Sequence, residues 1–425
     1  MHQRATRGTT IVLAAALIAT SISAASAQEN WPTWRGPNGT GAVAGANPPT
    51  TWSETENIKW KVEIPGLGQS SPVIWGNKIF FQTAIDAGNG QNAYKFDILC
   101  LDRATGKTLW QKTAIEAVPH EGHHSTGSLA AYSPITDGKL LWASFGSRGL
   151  YCYDLDGNLK WSRPLIKMTI VAGFGEGSSP CLAGDAIVVV CDHEGQSKIF
   201  AFNKETGEPL WEKDRDEGTS WASPVAAEVN GKIQVITSAT NFIRSYDAKT
   251  GEVIWQCSGM TRNAIPTGIV AFDTALCISG FGGSSLMAIE LDSTGDVSGT
   301  DAVVWKMSDG TPYVPSPVLM GERLFFCGSS NNQAIVSCYN AKTGAAIFSK
   351  QRLQGANTLY ASFVGAGDHI YIPARNGVVS VIKNANTFEI VAANKLDDTF
   401  DATPAVIGNE LYLRGAKNFY CIAQQ

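Results

Sequence analysis

Three of the six histidines stand together in His120-Glu121-Gly122-His123-His124, and a fourth lies in Cys191-Asp192-His193-Glu194-Gly195. Two further polar groups sit between glycines: Arg148 in Gly146-Ser147-Arg148-Gly149 and Glu176 in Phe174-Gly175-Glu176-Gly177. Imidazole and carboxylate are ligands for divalent metals. Flanking glycines let the backbone come close to whatever is bound. His120, His123, His124 and His193 are therefore the candidate metal ligands. Arg148, Glu176 and Glu194 are the candidate ligand-binding residues. The plainer alternative is that these groups brace their own loops by hydrogen bonds. The string His120-Glu121-Gly122-His123-His124 fits the zinc-protease pattern, but that mechanism needs both histidines on one helix face, and Pro119 and Gly122 argue for a loop. No nucleophile elbow, phosphate loop or dinucleotide fingerprint occurs, so no catalytic residue is assigned.

The segments that must position these groups repeat. Cys100-Leu-Asp-Arg-Ala-Thr-Gly-Lys-Thr-Leu-Trp110 recurs at 201–211, 245–255 and 338–348, with a shortened copy at 153–161 and an enlarged one ending at Trp305. A small residue and Pro precede most copies, as in Ser71-Pro72, Ser133-Pro134, Ser179-Pro180, Ser223-Pro224, Ser316-Pro317 and Thr403-Pro404. Each unit reads as four strands, A to D; the first runs Pro72 to Trp75, Lys78 to Thr83, Asp97 to Asp102 and Thr108 to Lys112. Thr-Gly and Asp-Gly pairs supply the positive φ of tight turns. Units start near residues 71, 133, 178, 222, 266, 315, 360 and 402, a four-stranded-blade spacing. The last unit has no D strand of its own, while residues 57–64 carry an orphan strand with Trp60. Pairing the two closes a ring and removes exposed sheet edges. The sequence thus predicts an all-β, eight-bladed propeller over 57–425, preceded by an irregular segment, 28–56, packed on it. In this connectivity the D-to-A and B-to-C loops share one face, which gathers His120, His123, His124, His193, Arg148 and Glu176. The strand-C positions Cys100, Cys152, Ala201, Ser245, Ala288, Cys338, Val381 and Cys421 are all small, so four of the nine cysteines read as core filler rather than disulfide partners.

Basic residues Arg4 and Arg7, the apolar run Ile11 to Ala19 and Ala25-Ser26-Ala27 read as a cleavable leader, 1–27. Export to the periplasm or beyond, as a soluble monomer, follows as an expectation. A net charge of −5 without a basic run disfavours nucleic acid. No later stretch is apolar enough to span a membrane.

The Asp-x-x-Thr-Gly-x-x-x-Trp turn resembles the quinoprotein (PQQ) repeat, and Trp31-Pro-Thr-Trp-Arg-Gly-Pro37 is similar to the opening of exported bacterial proteins of that group. The resemblance implies that Trp60, Trp110, Trp161, Trp211, Trp255 and Trp305, with Phe348, brace adjacent blades; the seventh unit, near Ile390 or Val391, departs. One branch of the family binds PQQ and Ca²⁺ and oxidises alcohols. Its adjacent Cys-Cys pair is missing here, which makes PQQ an unexpected cofactor. The BamB-like branch binds partner proteins without catalysis, though its lipid-anchoring cysteine is missing. The reading is a non-catalytic scaffold for a cell-envelope protein or small polar ligand. Its rival is a metal- or PQQ-dependent oxidoreductase at the propeller mouth.

Overall fold

The computed structural model describes residues 30–88 and 90–424; the leader expected at 1–27 lies outside them. Blade 1 shows how a unit forms. Strands Val73–Trp75, Lys78–Asp86, Tyr94–Asp102 and Thr108–Ala117 pair antiparallel in chain order. The turn between the last two is held by Asp102, whose Oδ1 accepts from the Thr105 amide at 2.8 Å and its hydroxyl at 2.7 Å. Strands B and C run further than the sequence suggested, because Ala84 and Phe96 continue the buried face. Strand D follows them to Ala117, beyond the Lys112 expected as its end, so the connection to blade 2 begins at 118.

The arrangement repeats as eight antiparallel sheets of four strands, two of which gain an extra strand. Ile58–Glu63 pairs antiparallel with Asn418–Ile422, with Trp60 opposite Cys421 and Lys61 opposite Tyr420. The chain's two ends therefore share blade 8, as expected. Among the described residues no helix is long and apolar enough to cross a membrane.

Blades are joined by a recurring indole contact. Within each sheet the small strand-C residue faces a strand-D aromatic: Cys100 opposite Trp110, Cys152 opposite Trp161, Ala201 opposite Trp211, Ser245 opposite Trp255 and Ala288 opposite Trp305. Smallness there makes room for the ring. Each indole N–H then reaches the next blade, Trp60 donating to Arg103 O, Trp110 to Leu155 O, Trp161 to Lys204 O, Trp211 to Ala248 O, Trp255 to Leu291 O and Trp305 to Ala341 O, at 2.9–3.2 Å. For five of the six, all but Trp255, the turn glycine of that next blade lies against the ring. At Gly106 φ is +73°, and an added Cβ would stand 2.8 Å from Trp60. Only glycine meets both demands. Blade 7 departs for a legible reason. Register sets Ala392 opposite Val381, so the aromatic position is Ala392 and not Ile390 or Val391. Phe388 instead meets Phe348 of blade 6, with ring centroids 5.7 Å apart. All nine cysteines are buried and unpaired. Burial pushes the Cys100 and Cys152 thiols up to about 12, as suits packing rather than reactivity.

Residues 30–56 cross one end of the axis. Trp31 exchanges backbone bonds with Ile74 of blade 1 at 2.8 Å, Pro32 O accepts from Thr136 of blade 2, Thr40 O from Leu319 of blade 6, and Gly41 O from Gly365 of blade 7. Ala42–Val43 adds a parallel strand to Val364–Ala366. The inner strands of blades 1, 2, 6 and 7 thereby gain backbone partners. Arg35 lies buried in this crossing, donating to the Pro317 and Phe363 carbonyls.

Candidate functional site

The small residue that opens each strand A has a common task. The Ser71 amide donates to Ser133 Oγ, Ser133 to Ser179, Ser179 to Ser223, Ser223 to Thr267, Thr267 to Ser316, Ser316 to Ser362, and Thr403 back to Ser71, all at 2.8–2.9 Å. These bonds link successive blades around the axis. Every member is buried. Each accepting hydroxyl takes one amide and keeps its own proton available to donate.

Above this ring lies an axial cavity of about 460 Å³. Its walls are mainly the D-to-A segments of the blades, joined by the B-to-C turn of blade 5 through Phe281. Trp34 of the crossing segment lines it, as do Phe174, Trp221, Phe281, Tyr313 and Tyr360. The carboxylates Glu176 and Asp401 and the imidazole of His124 also line it, and no Lys or Arg does among the described residues.

Glu176 is the best-held polar group. Its Oε2 accepts from the Ser147 amide at 2.9 Å and the Tyr132 hydroxyl at 3.2 Å, with Arg148 Nη1 at 3.5 Å. Burial, then the Glu176 charge, raises the Tyr132 phenol well above its ordinary value, so it stays a donor. A side chain at Gly146 would collide with both the carboxylate and the phenol. Arg148 and Glu176 are thus brought together, and His120 Nε2 stands 3.7 Å from Glu176 Oε1 while also meeting the Met168 carbonyl at 2.7 Å.

The other sequence candidates go elsewhere. His123 Nδ1 contacts the His124 carbonyl at 2.8 Å and is exposed. His124 Nδ1 meets the Thr126 hydroxyl at 2.8 Å, and its ring stands edge-on to Phe174 at 5.1 Å on the cavity lip. His193 is buried with both nitrogens engaged: Nδ1 accepts from Thr169 and Gly195, and Nε2 meets Gln196 O. Glu194 accepts from the Thr219 amide and hydroxyl, and that hydroxyl bond lowers its carboxyl below the usual value. The zinc-protease string lies in irregular backbone, not helix. Among the described residues no three His, Cys, Asp or Glu side chains stand close enough to hold a metal ion.

The family's quinone and its metal can be tried against this site. The metal lacks a ligand set, since Glu176 is held by Tyr132 and Ser147, and Asp401 by Arg375 at 2.9 Å. The quinone is a multiply charged acid, and the cavity offers it no free cation, since Arg148 and Arg375 are taken up by Glu176 and Asp401 and no Lys or Arg lines it. Neither group fits the residues present.

Sequence reasoning missed Trp34, Trp221, Phe281, Tyr313, Tyr360 and Asp401. A signal existed: Trp221, Tyr313, Tyr360 and Asp401 stand two or three residues before the strand-A hydroxyl of their blade. The Ser-Pro signature dominates the repeat there, and the residue ahead of it varies from blade to blade.

A family profile described as outer membrane protein assembly factor BamB matches residues 28–169 and 94–350. No curated protein matches. Among solved structures, BamB from Moraxella catarrhalis is similar at 16% identity and TM-score 0.57, covering 85% of this chain and 98% of that one. A europium-containing methanol dehydrogenase is similar at 11% identity and TM-score 0.62, covering 91% and 90%. The Dos1 propeller is similar at 11% identity and TM-score 0.56, covering 89% and 96%. At such identities the structural likeness speaks for the fold alone.

Proposed function

The chain belongs to the BamB-like family of PQQ-repeat propellers, and from that premise we propose that it is an exported, non-catalytic scaffold that binds a cell-envelope partner through the face where the D-to-A segments converge. One observation carries the reading. On that face the titratable groups are tied to local backbone and hydroxyl partners, while aromatic rings surround the opening of the axial cavity. Rings that offer apolar area to an incoming group are the means of recognition; Phe174, 37% exposed, sits at the lip beside His124. The leader at 1–27 and a mature start at Gln28 belong to the same proposal, as does a monomer.

A photo-crosslinking residue placed at Phe174 or His123 tests it in the envelope of the source cell. The expected result is one discrete protein adduct from both positions and none from Thr250 or Thr343 on the opposite face. Adducts from the Thr-Gly positions alone overturn the assignment of the face. A stoichiometric metal or a quinone absorbance in the purified chain overturns the non-catalytic reading.

A further inference from the structure

We propose that the axial cavity is a binding site for a neutral, polyhydroxylated ligand, a short uncharged glycan. The proposal goes beyond the partner-binding reading and does not depend on it. The cavity volume of about 460 Å³ lies within the range of small-ligand sites. Its chemistry is two-sided. At the base, the strand-A hydroxyls each accept one amide and leave an O–H to donate. On the walls, acceptors face inward: the Glu176 and Asp401 carboxylates and Gln69, whose Oε1 is buried without a partner while its Nε2 donates to Thr126 O at 3.1 Å.

Charge narrows the choice. Both cavity carboxylates already have a cation, Arg148 beside Glu176 and Arg375 beside Asp401, so an anion would find no free Lys or Arg on the lining. A cation would find both carboxylates already paired with Arg148 and Arg375, and beneath the hydroxyl ring the guanidinium of Arg35, bonded to the carbonyls of the residues that follow Ser316 and Ser362. A ligand that both gives and takes hydrogen bonds satisfies base and wall together. Aromatic faces supply the remaining requirement. Phe281 and Tyr313 pack with centroids 4.8 Å apart, and Trp34 and Trp221 offer wide apolar surfaces to sugar C–H faces.

Calorimetry on the full mature chain tests this with trisaccharides of glucose and of N-acetylglucosamine as neutral probes, galacturonate trimer as the anion and glucosamine trimer as the cation. At least one neutral probe is expected to bind with a millimolar or tighter Kd and to change tryptophan fluorescence. Both Tyr313→Ala and Trp221→Ala should weaken that binding tenfold or more with the thermal midpoint held, and Leu210→Ser on the outer rim should not change it. If a variant is unstable, Trp221→Phe gives the same reading with the fold preserved, as a smaller loss. No binding by either neutral probe, a preference for a charged trimer, or binding unchanged in both aromatic variants overturns the proposal. Loss of glycan binding with the crosslinked partner retained separates this claim from the scaffold reading.

Discussion

The Thr-Gly face and the D-to-A face are made by the same eight units, yet they use repetition differently. On the first, one contact recurs: an indole donates to the next blade and a glycine lies against it. On the second, repetition stops at the hydroxyl ring. Above it, the position that is Trp in blade 4's entry is Tyr in two others and Asp in the last, at Trp221, Tyr313, Tyr360 and Asp401. Identical contacts close a ring, because every blade must meet its neighbour at the same angle. Dissimilar contacts make a site, because a ligand is not eightfold symmetric.

If this division is correct, substitutions in the repeated parts change stability and those in the unrepeated parts change binding. The largest stability loss is expected from Trp255→Ala, about 3–5 kcal/mol by denaturant unfolding, since the ring is fully buried and braces blades 4 and 5. Ser179→Ala comes next, at about 1–3 kcal/mol. It strands the buried Ser133 amide, now satisfied at 2.9 Å. Gly106→Ala is placed with it, at about 1–3 kcal/mol, because a left-handed φ and the Trp60 ring both oppose a methyl group. Tyr313→Ala should cost about 1 kcal/mol or less, being half-exposed. A large stability loss there, with binding intact, would erase the distinction.

The smallest effect is acid-dependent. The Thr105 hydroxyl bond holds the half-buried Asp102 carboxyl below its usual value. A depressed carboxyl adds stability that is complete above the ordinary aspartate range, near about 4, and is lost as pH falls through the lower folded value. Asp102→Asn should therefore lower stability slightly at neutral pH, and the difference from the parent chain should vanish as pH falls below the folded value, which flattens the acid limb of the stability-against-pH curve.

Much of the ring was legible because its demands are local and iterated. Thr-Gly-x-x-x-Trp places a glycine, a turn and an indole at fixed offsets, and a missing D strand at one end matched an orphan strand at the other. The blade 7 departure was visible, but its register was not, since a bulge between Val381 and Ile382 shifts the partner to Ala392. The site was less legible. Histidines close in sequence at 120, 123 and 124 point to different partners, because a loop without a helical period sets no common direction. The residues that do converge come from segments some forty residues apart, and only closure of the ring brings them to one axis.

Hydrogen exchange on the mature chain, with and without the partner recovered by crosslinking, tests the division between faces most directly. The account predicts added protection in the segments 119–131, 169–178 and 216–223 and no change in the turns 102–107, 203–208 and 247–252. Protection confined to those Thr-Gly turns, or to the outer strands, would contradict it.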